Sequence, residues 1–133
     1  MKDETRVWIS YAEENLKVAG LALEHGHLNA CLQNAQQAVE KYLKAVIIEF
    51  DLPFVRTHSI RELVGLLSEK QITSPISDDD MDLMDSIYVP SKYPIYSALP
   101  QAMPDRAICD EALDIAVRTR DFVNNIIKPG GIC

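Results

Sequence analysis

Apolar residues recur at threes and fours along most of the chain, the period of an amphipathic helix and not of a strand. A first helix is predicted from about Thr5 to His25, with Trp8, Ala12, Ala19 and Ala22 on its apolar face and Tyr11, Val18 and Leu23 beside them. Asn15 falls inside that stripe, either as a hydrogen-bonded core amide or as a site residue. Gly26 follows as the C-cap, in the connection "HGHLN". A second helix is predicted from about Asn29 to Phe50. Cys31, Ala35, Ala38, Val39, Tyr42 and Val46 form its stripe, and Gln33, Gln36, Gln37, Glu40, Lys41 and Lys44 populate the rest. Pro53 in "DLPFV" forbids its continuation.

The third helix starts at "THSIRELVGLL". Ser59 with Glu62 three residues on is a capping box, and Ile60, Leu63, Val64 and Leu67 are the core face. A shorter fourth helix starts at "SPISDDDMDLMDSIY", where Ser77 caps and Asp78, Asp79 and Asp80 complement the dipole of the first turn. From Val89 to Pro104 the sequence "VPSKYPIYSALPQAMP" reads as a long loop stiffened by prolines. The last helix is predicted from about Asp105 to Ile127, with Ile108, Ala112, Ile115, Ala116, Val123 and Ile126 inward and "KPGG" closing it. Nothing alternates at period two for more than a few residues, so an all-α fold is expected.

The 133 residues suit one domain, 1–133, with a core large enough to need neither disulfide nor metal. A net charge of −7 opposes gripping nucleic acid by bulk electrostatics, although 13 lysines and arginines leave a local basic patch open. Cys31, Cys109 and Cys133 are odd in number and lack CxxC spacing, which reads as reduced thiols of a cytosolic protein. The N-terminus has no apolar signal core and no run is long enough to cross a bilayer, so a cytoplasmic location is expected. His25 and His27 have no acidic or thiol partner nearby, and Asp78–Asp80 lacks the glycine and distal glutamate of an EF-hand. Neither a metal nor a cofactor is expected.

Searches for phosphate-loop, dinucleotide, zinc-protease and nucleophile-elbow motifs return nothing. Four strings in order are more informative. "WISYAEENLKVAGLAL" resembles the opening W-x-x-x-A-x-x-[DN]-L helix of HEPN domains, and "NAQQAVEKYLKAVI" resembles their Q-Q-A-x-E-K-x-x-K-A helix. "THSIRELVGLL" is similar to the T-H-x-[IL] helix start, and "SKYPIY" stands where one branch carries R-Y-P. The strings cover about Trp8 to Tyr96. The resemblance implies an up-and-down bundle of four main helices with a fifth accessory one, commonly homodimeric. It also implies a role near nucleotides or RNA, frequently beside a nucleotidyltransferase as toxin and antitoxin.

Many such domains are metal-independent ribonucleases with an R-x4-6-H motif. Here Lys92 takes the arginine's place, and Ser97, Ala98 and Leu99 fall where the histidine belongs. Lysine holds a phosphate only as a point charge, and the missing histidine removes the general acid/base. The leading expectation is therefore a non-catalytic HEPN-like subunit that binds a nucleotide or RNA phosphate, a nucleotidyltransferase partner, or both. Lys92 would meet the phosphate and Tyr88, Tyr93 and Tyr96 would stack on a base. Lys41, Lys44, Glu40 and His58 complete the candidate set if the second and third helices converge. Two alternatives stand beside it: a ribonuclease toxin using His58 in place of the lost histidine, and a purely structural dimerisation module.

Overall fold

The apolar spacing resolves into five helices: α1 (Asp3–Glu24), α2 (Leu28–Glu49), α3 (Ile60–Glu69), α4 (Asp78–Lys92) and α5 (Arg106–Ile126). The structure, a computed structural model, describes residues 1–92 and 104–127, with the backbone alone for 89–92. There is no strand among the described residues.

Three helices end in the same way. After α1, the His27 amide bonds the Ala22 carbonyl at 2.7 Å and the Gly26 amide bonds that of Leu23 at 3.1 Å. This is the Schellman closure, and it requires a left-handed residue at Gly26, whose φ is +77°. The same pair of bonds closes α2 through Asp51 and Leu52, and α3 through Gln71 and Ile72. Asp51 and Gln71 take φ of 56° and 64°, so two side-chain-bearing residues do what glycine does at Gly26.

Helix starts are capped as their sequences predict, with one change. The Ser59 hydroxyl accepts from the Glu62 amide at 3.2 Å. The return bond is relayed: the Ser59 amide donates to Thr57 Oγ1 at 3.0 Å, and Thr57 donates to Glu62. Ser77 and Asp80 exchange both bonds, at 3.0 and 3.1 Å. Asp80 is also held by Arg118 of α5 at 3.1 Å. Burial alone would raise the Asp80 carboxyl, but the Ser77 amide and Arg118 outweigh it and hold it below the usual range. The acidic run is a cap and a tie to α5. Asp105 caps α5 through the Ile108 amide at 2.8 Å.

α2 is the central element, packed against α1, α3, α4 and α5. Buried alanines on α1 (Ala12, Ala19, Ala22) and on α2 (Ala35, Ala38) let helix axes approach closely. Leu43, Ile47, Leu63, Leu67, Met84 and Ile115 fill the remaining core.

Two expectations need correction. Tyr11 and Val18 are 55% and 40% exposed and do not join the core. The α1 pattern contains two apolar stripes, and only the alanine-centred one faces α2. The helix expected to end near Tyr88 instead runs to Lys92, so Val89–Lys92 is helix and not loop. Pro90 lacks an amide, but it sits within the last turn, where few later bonds depend on it. The rest of the expected loop, residues 93–103, lies outside the described residues.

Candidate functional site

On α2, Gln36, Glu40 and Lys44 are spaced by four and therefore stack along one side of the helix. They are 1%, 3% and 7% exposed, an uncommon depth for two charged side chains. Lys44 Nζ donates to Glu40 Oε2 at 2.7 Å. Gln36 Nε2 reaches Glu40 Oε1 at 3.4 Å and the His58 carbonyl at 3.3 Å, and Gln37 in turn donates to Gln36 Oε1 at 2.8 Å.

His58 faces this row from the segment preceding α3. Its Nδ1 lies 3.3 and 3.2 Å from the two Glu40 oxygens. An ionised carboxylate only accepts, so in this contact the ring donates from Nδ1–H. Nε2 has no hydrogen-bond partner among the described residues, and the side chain is 55% exposed. The ring stacks on Tyr88 of α4, with centroids 4.5 Å apart and planes 12° from parallel.

Asp85, one turn before Tyr88, sets that geometry. It accepts from the Ile60 amide at 2.6 Å, the Ser59 hydroxyl at 3.0 Å and the Arg61 amide at 3.3 Å. A carboxylate from α4 thus completes the cap of α3 and pins the residues beside His58.

The other edge of the cluster is aromatic and cationic. Lys44 Nζ sits 5.6 Å from the Trp8 ring centre and 6.0 Å from that of Phe54, close enough for cation–π attraction. Lys41 Nζ donates to Asn15 Oδ1 at 2.7 Å and lies 5.8 Å from the Tyr11 ring. Asn15 is held by Asn34 at 2.9 Å, which is anchored on the Ala30 carbonyl at 2.9 Å. The two readings of Asn15 converge, because it is a half-buried amide whose partner is a site cation.

Of the residues singled out in the sequence, Glu40, Lys44, His58 and Tyr88 come together across α2, α4 and the α2–α3 connection, whereas Lys41 meets Asn15 and Tyr11 of α1. Lys92 is placed by its backbone alone, four residues beyond Tyr88 on α4. Tyr93 and Tyr96 lie outside the described residues. Trp8, Phe54, Asn34, Gln36 and Asp85 were not singled out as site residues. Gln36 and Asp85 lie where the helical period puts a turn-spaced neighbour of a known member, which is the signal that could have found them.

Two pockets lie away from the cluster: one of about 560 Å³ is lined by Val7, Ile9 and Tyr11, another of about 540 Å³ by Phe50, Leu52, Ile72 and Phe122. Neither contains Glu40, Lys44 or His58. Among the described residues no three His, Cys, Asp or Glu are grouped to hold a metal ion. No described helix is long and apolar enough to cross a membrane.

Comparison with known proteins adds the following. A family model described as the HEPN domain matches residues 5–126. TT1696 from Thermus thermophilus is similar in structure, with a TM-score of 0.75 and 26% identity, covering 95% of this chain and 100% of its own. ST0689, described as an archaeal HEPN homologue, has a TM-score of 0.70 and 26% identity, covering 96% of this chain and 100% of its own. A comparison with curated proteins gives no match.

Proposed function

The chain belongs to the HEPN domain family, and from that premise we propose that it is a non-catalytic subunit that binds a phosphate-bearing nucleotide or RNA segment over the Lys41–Lys44–His58 face. The observation that carries this reading is the buried Glu40–Lys44 pair joined to a half-exposed His58. Burying an ion pair costs several kcal/mol of desolvation per ion, roughly, and well-packed apolar residues usually do as well or better for stability. A fold with that many leucines and isoleucines has no structural need for such a pair beside a half-exposed histidine. In the proposed complex Lys41 and His58 meet the phosphate, and Tyr88, Trp8 and Phe54 offer ring faces for a base. Lys92, Tyr93 and Tyr96 belong to the same proposal as contributions from the end of α4 and the segment after it. A homodimer and a nucleotidyltransferase partner are the assemblies that go with it.

A thermal-shift titration against nucleotides and short single-stranded RNA tests the reading. Ligand at about a hundred times its Kd adds roughly 2.7 kcal/mol, which moves the midpoint by several degrees. That shift should shrink in Lys41→Met and in His58→Ala. No shift with any member of the panel would overturn it.

One observation favours a second reading. A histidine with Nδ1 on a carboxylate and Nε2 free among the described residues has the arrangement of a general base. Under that reading the chain cleaves RNA through His58, and His58→Ala abolishes cleavage while Lys41→Met only weakens it. Intact RNA after prolonged incubation at high protein concentration excludes it.

A further inference from the structure

Outside the candidate site, the largest unexplained feature is the outer face of α1. Val7, Tyr11, Val18 and Leu21 are 48%, 55%, 40% and 50% exposed. Their spacing of four, seven and three places them in one stripe about 21 Å long, at 1.5 Å of rise per residue. Single exposed apolar side chains are ordinary, whereas four in register on one helix mark a surface that another element covers. At its N-terminal end the stripe borders a pocket of about 560 Å³ lined by Val7, Ile9 and Tyr11 together with Arg6 and Glu13, a recess for an apolar side chain.

Charge decides what kind of element fits. α1 carries five carboxylates, Asp3, Glu4, Glu13, Glu14 and Glu24, against two cations, Arg6 and Lys17, and all seven are exposed. Glu14 lies within the stripe, between Tyr11 and Val18. A second copy of α1 laid along the first would set like charge against like, with Glu14 near its own copy in an antiparallel pair. An apolar helix flanked by lysines or arginines would instead bury the stripe and pair the carboxylates.

We propose that the Val7–Tyr11–Val18–Leu21 face of α1 is a docking surface for a basic amphipathic helix of a partner protein, bound side by side with α1. This surface is independent of the ligand reading above. It adjoins the ligand face, because Tyr11 lies under Lys41, so a docked helix would stand along one edge of the cluster.

The test uses two labelled synthetic helical peptides with the same leucine stripe, one flanked by lysine and the other by glutamate. Fluorescence anisotropy is read with the full chain and with the double variant Val18→Ser, Leu21→Ser. Both substitutions are at exposed positions, and circular dichroism checks that the variant remains folded. The lysine peptide should bind at least tenfold tighter than the glutamate peptide. Its binding should weaken at high salt and fall at least tenfold in the double variant. Equal binding of the two peptides, no binding of either, or binding unchanged in the variant would each overturn the proposal. So would a wild-type dimer, seen by sedimentation equilibrium, that becomes monomeric in the variant, because the occupant would then be a second copy.

Discussion

Glu40→Gln and Lys44→Met each break a buried ion pair from one side, and the account predicts large losses for both single variants and a small one for the pair of changes. In the wild type the Glu40 and Lys44 side chains are 4% and 9% exposed and 2.7 Å apart. Removing one partner leaves the other charge buried with its main partner gone, at a cost of about 3–5 kcal/mol. The loss should be nearer about 3 kcal/mol in Glu40→Gln, because the new amide oxygen still accepts from Lys44, while its NH2 replaces the oxygen that accepted from Gln36. Replacing both residues with apolar ones of similar size, Glu40→Leu with Lys44→Met, removes the unpaired charge, and the net change should be within about 1 kcal/mol. The single losses are a large share of the roughly 5–15 kcal/mol that holds a small domain folded. Urea unfolding at neutral pH, followed by far-ultraviolet circular dichroism, reads all four proteins. Each single variant should also melt about 10–20 °C lower, at roughly 3–4 °C per kcal/mol for a chain of this length, with Glu40→Gln at the smaller end. A double variant as unstable as the singles would refute the argument, because the pair would then be structural and its presence would need no function. Single losses below about 1 kcal/mol would refute the buried geometry itself.

Asp85→Ala removes a carboxylate that caps α3 from α4, and should cost about 1–2 kcal/mol in urea unfolding while shifting the imidazole resonances of His58. Gln71→Gly relieves a left-handed residue at φ 64° and should stabilise the fold by roughly 0.5–1 kcal/mol, with the helical signal unchanged. Glu49 accepts from the Lys2 amide at 3.0 Å, and that bond holds its carboxyl below the usual range against the opposing effect of burial. Its folded-state value is the depressed one, so its contribution is fully present above the unfolded value of about 4.3. It is lost as pH falls through the folded value, and the stability gap between wild type and Glu49→Gln should close over that acid window. Burial pushes the Cys31 thiol up to about 12, so in the native state it should resist a neutral-pH thiol reagent until urea unfolds the chain.

Much of the fold was legible because its signals are local. Ser59, Ser77, Asp105 and Gly26 stand where cap chemistry requires them, and the helices begin or end within a few residues of those marks. The left-handed closures at Asp51 and Gln71 were hidden, since neither residue type announces the conformation as glycine does. Tyr11 and Val18 mislead because spacing alone does not say which of two apolar stripes a neighbouring helix will cover. Pro90 has the look of a stop, yet a single missing amide in a last turn does not end a helix that is packed elsewhere.

The site was legible as a set of residue types and not as a geometry. Glu40, Lys41 and Lys44 fall on the helix that resembles the HEPN pattern, and His58 on the next. What joins them is long-range: Asp85 is 25 residues from the Ile60 amide that it holds, and Asn15 is 26 residues from Lys41. Pairings of that kind leave no periodic trace. Trp8 and Phe54 have the patterns of a core residue and a loop residue, and only the position of Lys44 between them gives them a place at the site.

The central claim is that this face binds a phosphate-bearing ligand, and Trp8 reports on it directly, being the chain's one tryptophan and lying beside Lys44. The measurement is the indole N–H resonance in a proton–nitrogen correlation spectrum, titrated with a nucleotide panel and short single-stranded RNA. The account predicts a saturable shift with at least one ligand, and an affinity about tenfold weaker in Lys41→Met, as the loss of one charge-assisted contact implies. An indole resonance that does not move at millimolar ligand, or one that moves identically in Lys41→Met, would contradict it.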